Sequence, residues 1–210
     1  MSSFPSLSPT RVHGLICGTL EPGPLNTLAD IDGIAVGHKT VCDGDLRTGF
    51  TAIVPHSGNL FREKLPAAVE VINGFGKSAG LVQVDELGTL ETPILLTNTF
   101  GVGTGVNALI RRAIDENPEI GRSTGTINPV VMECNDGYLS DIQAMALSEA
   151  DAEAALKAAG SKVEQGSVGA GTGMSAFGFK GGIGTSSRVL PDSLGGHTIG
   201  VLVQTNFGGV

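Results

Sequence analysis

Residues 129–141 read PVVMECNDGYLSD. The stretch opens on three apolar residues, Val130, Val131 and Met132. It then turns abruptly polar at Glu133, Cys134, Asn135 and Asp136, followed by Gly137 and the chain's only tyrosine, Tyr138. A short apolar run of this kind is the pattern of a buried strand, and Asn-Asp-Gly is the turn that ends it. A carboxylate, an amide and a phenol are thus placed close together where a strand leaves the core. Strand ends of this kind are where α/β proteins commonly hold their ligands. The plainer reading, a polar turn that only closes the strand, stays open on this stretch alone, because turns use the same residue types.

The flanking sequence predicts an α/β chain. Upstream, residues 33–41 (GIAVGHKTV) and 48–54 (TGFTAIV) are two strands close enough to form a hairpin around residues 42–47. Residues 67–72 (AAVEVI) predict a third strand and residues 81–84 a short fourth, followed by acidic Asp85 and Glu86. Residues 93–97 (PILLT) predict a buried fifth. Over residues 102–117 the period changes: Val106, Leu109, Ile110 and Ala113 fall at helical spacing, with Pro118 beyond the end. Residues 148–159 form the clearest helix, with Ser148 and Asp151 as a capping-box-like start and Gly160 as C-cap. A glycine-dense loop follows at 166–184. Residues 183–190 and 198–205 predict two more strands joined by a turn at 191–196, and the last, TIGVLVQT, is apolar enough to be central. The Ser-, Pro- and Gly-rich residues 1–24 are expected to be a surface arm. No repeat or linker interrupts the chain, so residues 1–210 are expected to form a single α/β unit.

Composition narrows the function. Hydrophobic residues make up 40% and charged residues 16% of the 210, a balance that argues against disorder. The net charge is −8 and no basic patch is visible, which argues against nucleic-acid binding. No apolar stretch is long enough to cross a bilayer, and residues 1–12 lack a signal-peptide pattern. The widely spaced Cys17, Cys42 and Cys134 suggest neither a zinc site nor a redox motif and fit a reducing compartment. His13, His38, His56 and His197 show no metal-ligand spacing. A cytoplasmic protein without metal or cofactor is expected.

Familiar catalytic motifs are incomplete. Gly76-Lys77-Ser78 ends like a phosphate loop, but Val71 stands where its first glycine must be. Gly169, Gly171 and Gly173 precede a strand rather than joining a strand to a helix, as a dinucleotide site requires; close packing of loop on sheet is their plainer role. Ser175 lacks the G-x-S-x-G elbow. Cys134 beside Glu133 is a candidate thiol nucleophile, although a cysteine on a short apolar strand is more often buried and inert.

Three blocks nonetheless resemble one family together: VVMECNDGYLSDI at 130–142, GSVGAGTGMSAFGFKGGIGTSSR at 166–188 and IGVLVQTNFG at 199–208. PGPLNTLADIDGIAVGH at 22–38 and PILLTNTFGVG at 93–103 add to the likeness. The family is that of the L-aminopeptidase/D-esterases and β-aminopeptidases. The resemblance implies a four-layer αββα sandwich, similar in layout to N-terminal-nucleophile hydrolases but differently connected. It implies a precursor that cuts itself before a serine, whose α-amine, with a typical pKa of about 7.7–8.0, can act as the base. This chain resembles the larger fragment alone, so its nucleophile is expected on a smaller chain from the same precursor, with a tetramer of such heterodimers as the assembly. The abrupt end after the strand at 198–205 fits that expectation.

The resemblance also implies residue roles. Asn206 matches an amide that donates to the oxyanion, a donor worth about 2.7–4 kcal/mol. Tyr138 matches an active-site tyrosine, and Glu133 a carboxylate that binds the substrate's free amine. Asn135 is grouped with Glu133 on the substrate-binding side. Asn206, Tyr138 and Glu133 each have a plain alternative: a turn-capping amide, a half-buried phenol and a solvated charge, respectively. The implied activity is release of L-, D- or β-amino acyl groups from small peptides, amides or esters through an acyl-enzyme. Its rivals are an acyltransferase like the ornithine acetyltransferases, with a threonine nucleophile, and a non-catalytic amine-binding protein on the same scaffold.

Overall fold

The computed structural model describes residues 9–208. Residues 1–8 of the expected arm, and residues 209–210, lie outside the described residues. A single helical turn α1 (Pro9–Val12) precedes the hairpin of β1 (Ala35–Asp43) and β2 (Leu46–Val54). The two-residue strand β3 (Leu65–Pro66), helix α2 (Leu81–Leu87) and β4 (Thr89–Leu90) lead to β5 (Ile94–Asn98), α3 (Val102–Glu116) and β6 (Val130–Cys134). Helix α4 (Glu149–Lys157) follows. The chain then forms the short β7 (Ser175–Ala176) and β8 (Phe179–Lys180) and a long hairpin, β9 (Gly182–Val189) and β10 (Thr198–Thr205).

Four strands form the main sheet in the order β1-β2-β5-β6. β1 and β5 run antiparallel to β2, and β6 runs parallel to β5. Strand alternation sends Phe50, Ala52, Leu95 and Val131 to one face, where α3 and α4 cover them with Ala108, Leu109, Ala152, Ala155 and Leu156. Burying one large apolar side chain of this kind contributes about 1.5–3 kcal/mol. On the other face Leu96 packs with Ala170 and Ile183, backed by Ile53, Val168 and Leu202. The β9–β10 hairpin therefore lies on the side of the sheet away from the helices.

The glycine loop runs between these two β layers. Gly169 has φ +50, and an added Cβ would stand 2.5 Å from Thr51 Oγ1 and 2.6 Å from the Phe50 carbonyl. On β2, a Cβ at Gly49 would strike the Lys39 carbonyl and come within 2.7 Å of the Gly169 carbonyl. Close packing of loop on sheet is thus what these glycines permit. The loop is bonded in place by Gly169 N donating to Thr40 Oγ1 (2.8 Å) and Ala170 N to Thr51 Oγ1 (3.1 Å).

Four local expectations are corrected. Residues 81–84 are the start of a helix rather than a strand. Val84 is buried there, and Gly88, with φ 64, closes the helix by donating to the Val84 carbonyl. Residues 67–72 form no strand: strand pairing ends at Leu65 and Pro66, opposite Leu90 and Thr89, with one further bond from Ala67 N to the Gly88 carbonyl at 2.9 Å, and Ile72 is 97% exposed. Helix α4 has the expected capping box between Ser148 and Asp151, but ends at Ala158. Gly160 instead bridges to Val36, each N–H donating to the other's carbonyl at 3.0 and 3.1 Å. Finally, β10 is an edge rather than a central strand in the described residues, pairing only with β9. Ile199, Val201 and Val203 on its outer face are each about half exposed. Among the described residues no helix is long and apolar enough to cross a membrane.

Candidate active site

Because β5 and β6 are parallel, with Thr97 opposite Glu133 and Asn98 opposite Cys134, both deliver their last residues to the same end of the sheet. β2 runs antiparallel to β5, so its early residue Thr48 lies there too. β10 reaches the same end in the second layer. The Gln204 amide donates to the carbonyls of Thr97 (3.3 Å) and Ala170 (3.2 Å), and the Cys134 thiol donates to the Gln204 carbonyl at 3.8 Å.

Three of the sequence-predicted residues meet at this end. Glu133 is half-buried, and both its oxygens accept from neutral donors: Oε1 from the Lys77 amide (2.9 Å) and Oε2 from the Thr99 hydroxyl (2.5 Å). Among the described residues no lysine, arginine or histidine pairs with it. Asn206 Nδ2 donates to the carbonyls of Asn135 (3.0 Å) and Ser175 (3.1 Å). The residue just past β10 is thereby tied to the residue just past β6. The Asn135 side chain turns back on its own turn through Oδ1, which accepts from Gly137 N at 2.8 Å. Tyr138 stands apart and outward, 84% exposed.

Beneath them lies a polar network that the sequence did not reveal. Asp136 is fully buried. Its Oδ2 accepts from Asn98 Nδ2 (3.1 Å), which also donates to Thr48 Oγ1 (3.1 Å). The other oxygen, Oδ1, has no hydrogen-bond partner among the described residues. Burial pushes the Asp136 carboxyl up, the Thr48 and Asn98 side chains and its own backbone oppose the shift, and the charge of Glu133 adds to it. Asn98 also caps the 3-10 turn Thr99–Gly101, accepting from Gly101 N at 2.7 Å. An Asn three residues before Gly101 at a helix start is a capping signal and could have drawn attention to Asn98. Nothing in the sequence marked the Asp of an NDG turn as inward-facing.

Other candidates fall away. Burial and the charge of Glu133 push the Cys134 thiol up to about 11, which keeps it protonated and unreactive near neutrality. His38 is bonded to Thr51 Oγ1 at 2.9 Å, and His56 to the Glu63 carbonyl, also at 2.9 Å. Neither touches Glu133 or Asn206. Among the described residues no group of three or more His, Cys, Asp or Glu side chains gathers as a metal site. A cavity of about 610 Å³ lies at the opposite end of the sheet, lined by Val54, His56, Glu91, Arg112 and Asn117 among others. Its buried polar groups are satisfied internally: Glu91 accepts from Asn128, and Asn117 from Asn59 and Arg62.

An α/β chain that gathers an unpaired carboxylate and a strand-end amide where three strands finish has close counterparts among known proteins. Residues 26–210 match the model of Peptidase family S58, and the chain belongs to that family. It is 41% identical to the beta-peptidyl aminopeptidase BapA of Sphingosinicella xenopeptidilytica, over 89% of this chain and 48% of the relative. A Burkholderia sp. beta-aminopeptidase matches structurally with a TM-score of 0.90 and 43% identity, over 95% of this chain and 57% of that one. The L-aminopeptidase D-Ala-esterase/amidase of Ochrobactrum anthropi, described as a prototype of the serine aminopeptidases and a variant of the Ntn hydrolase fold, matches at 0.82 and 37%, over 91% and 56%. The chain spans about half the length of the curated relatives it matches.

Proposed function

We propose that this chain is the substrate-holding part of a serine-type aminopeptidase. One observation carries the reading most directly: Glu133 is a carboxylate fixed by two neutral donors and paired with no cation among the described residues. An anion held in this way can select a substrate that carries a free ammonium group. Family membership and the relatives named for aminopeptidase activity support it.

In the proposed reaction the nucleophile is the N-terminal serine of a smaller second chain, produced by self-cleavage. Its hydroxyl attacks the carbonyl of an amino-acyl amide or ester, passing its proton to its own α-amine. Asn206 donates to the oxyanion. Both of its N–H bonds now go to carbonyls, so donation exchanges one of them, the solvent-exposed bond to Asn135 being the accessible one. The amine or alcohol leaves, and water releases the acyl group from the serine. Tyr138, outward and without a hydrogen-bond partner among the described residues, would have to turn inward to contribute to the reaction. Asn135 contributes its backbone carbonyl rather than its side chain. The β-amino acyl class, which names two relatives at 41% and 43% identity, is the first to test. The second chain would add the fourth layer of an αββα sandwich against the outer face of β10.

The test is to express the complete coding sequence and to sequence the N-termini of the purified protein. A second chain beginning with serine should co-purify with this one; a single uncut polypeptide with full activity would overturn the proposal. Glu133→Gln should raise KM for amino-acyl amides by about 10- to 100-fold, the range for loss of a hydrogen bond to a charged group.

A further inference from the structure

We infer that Thr99 is a positioning residue for the substrate's ammonium group, acting with the backbone of the turn at residues 73–77 as a two-point clamp on Glu133. The inference rests on the ammonium-anchor role proposed above for Glu133. A glutamate side chain has three rotatable bonds, and an anchor that must meet a small ammonium group loses affinity if its carboxylate wanders. Here each oxygen is fixed separately. Thr99 Oγ1 donates to Oε2 at 2.5 Å and Lys77 N donates to Oε1 at 2.9 Å. Each oxygen keeps lone-pair capacity for an incoming N–H, since an ionised carboxylate offers about four acceptor positions.

Both arms of the clamp are themselves held. Thr99 opens the 3-10 turn Thr99–Gly101, which Asn98 caps through its Oδ1. The Asn98 amide is locked by Thr48 and by the buried Asp136. The opposing turn is braced by Asn73 Oδ1, which accepts from Phe75 N at 3.0 Å. The Lys77 ammonium group is meanwhile drawn away from the carboxylate. It donates to the Phe75 carbonyl at 2.7 Å and sits 3.8 Å from the centre of the Phe75 ring. Lys77 thus offers Glu133 a neutral amide while its positive charge is occupied elsewhere. That leaves the negative charge of Glu133 for the substrate.

The experiment compares two esters of one alcohol on the complete, processed enzyme: β-alanyl, which carries the amine, and propionyl, which lacks it. The ratio of their kcat/KM values does not depend on the fraction of enzyme that is folded. Thr99→Val keeps the shape and removes the donor. It should lower the ratio about tenfold, mainly through KM for the β-alanyl ester, as expected for a hydrogen bond to a charged group. Thr99→Ser restores the donor and should bring the ratio to within about twofold of the parent. Glu133→Gln is run beside them. If Glu133→Gln lowers the ratio and Thr99→Val leaves it unchanged, the clamp is refuted and the anchor stands. If Glu133→Gln also leaves it unchanged, the anchor role falls, and the clamp with it.

Discussion

Asp136 faces inward from a turn whose neighbours Asn135, Gly137 and Tyr138 face solvent. It holds Asn98, which in turn places Thr99 beside Glu133. Because burial raises its carboxyl, the folded state binds the proton more tightly than the unfolded chain does. That contribution is fully favourable below the unfolded value of about 3.8 and is lost as pH rises through the folded value. Asp136→Asn keeps an acceptor for Asn98 and removes the titration. Its stability relative to the parent is therefore expected to improve as pH is raised from acid to neutral, measured by urea unfolding across that range. A difference that stays constant with pH would contradict a buried, raised carboxyl. At this scale the sequence was only partly legible. Glu133 and Asn206 stood out because their blocks resemble a known family. Asp136, Asn98 and Thr99 did not, because their side chains meet only when separate strands end side by side.

Elements were more legible where local signals agreed with tertiary demand. The α4 start is an example: Ser148 Oγ accepts from Asp151 N, and Asp151 Oδ2 accepts from Ser148 N at 3.0 Å. Ser148→Ala should cost about 1 kcal/mol through loss of the cap, read as a lower denaturation midpoint with an unchanged slope. A loss no larger than that of an exposed surface substitution would show the cap to be redundant with the packing of Ala152 and Ala155. The short apolar runs were the failures. Residues 81–84 and 67–72 both look strand-like, and a run of four to six residues does not carry enough period to choose. Gly80 and Gly88, both with positive φ, bracket the first as a helix. The second finds no partner strand beyond Leu65 and Pro66.

For the molecule as a whole, the outer face of β10 carries the consequence. Ile199, Val201 and Val203 form an apolar stripe on a strand that, among the described residues, pairs on one side only. An exposed apolar face of this kind is normally covered by a partner. Under the proposed function the cover is the second chain. Val201→Lys should leave the fold of this chain intact, since the side chain is already 49% exposed. It should abolish co-elution of the smaller chain in size-exclusion chromatography after tagged purification. Parental co-elution would place the contact elsewhere. The sequence by itself determined helices α3 and α4, the N-terminal capping box of α4, the β1–β2 and β9–β10 hairpins, strands β5 and β6, and the family to which the chain belongs. Those features rest on local period, turn chemistry and contiguous blocks of residues. Only the tertiary structure decided that Glu133 is clamped by Thr99 and Lys77, that Asn206 is tied to Asn135, and that Asp136 is buried beneath them. Those contacts join residues 34 to 71 positions apart, a separation at which no periodic pattern survives and only the pairing of strands sets what meets.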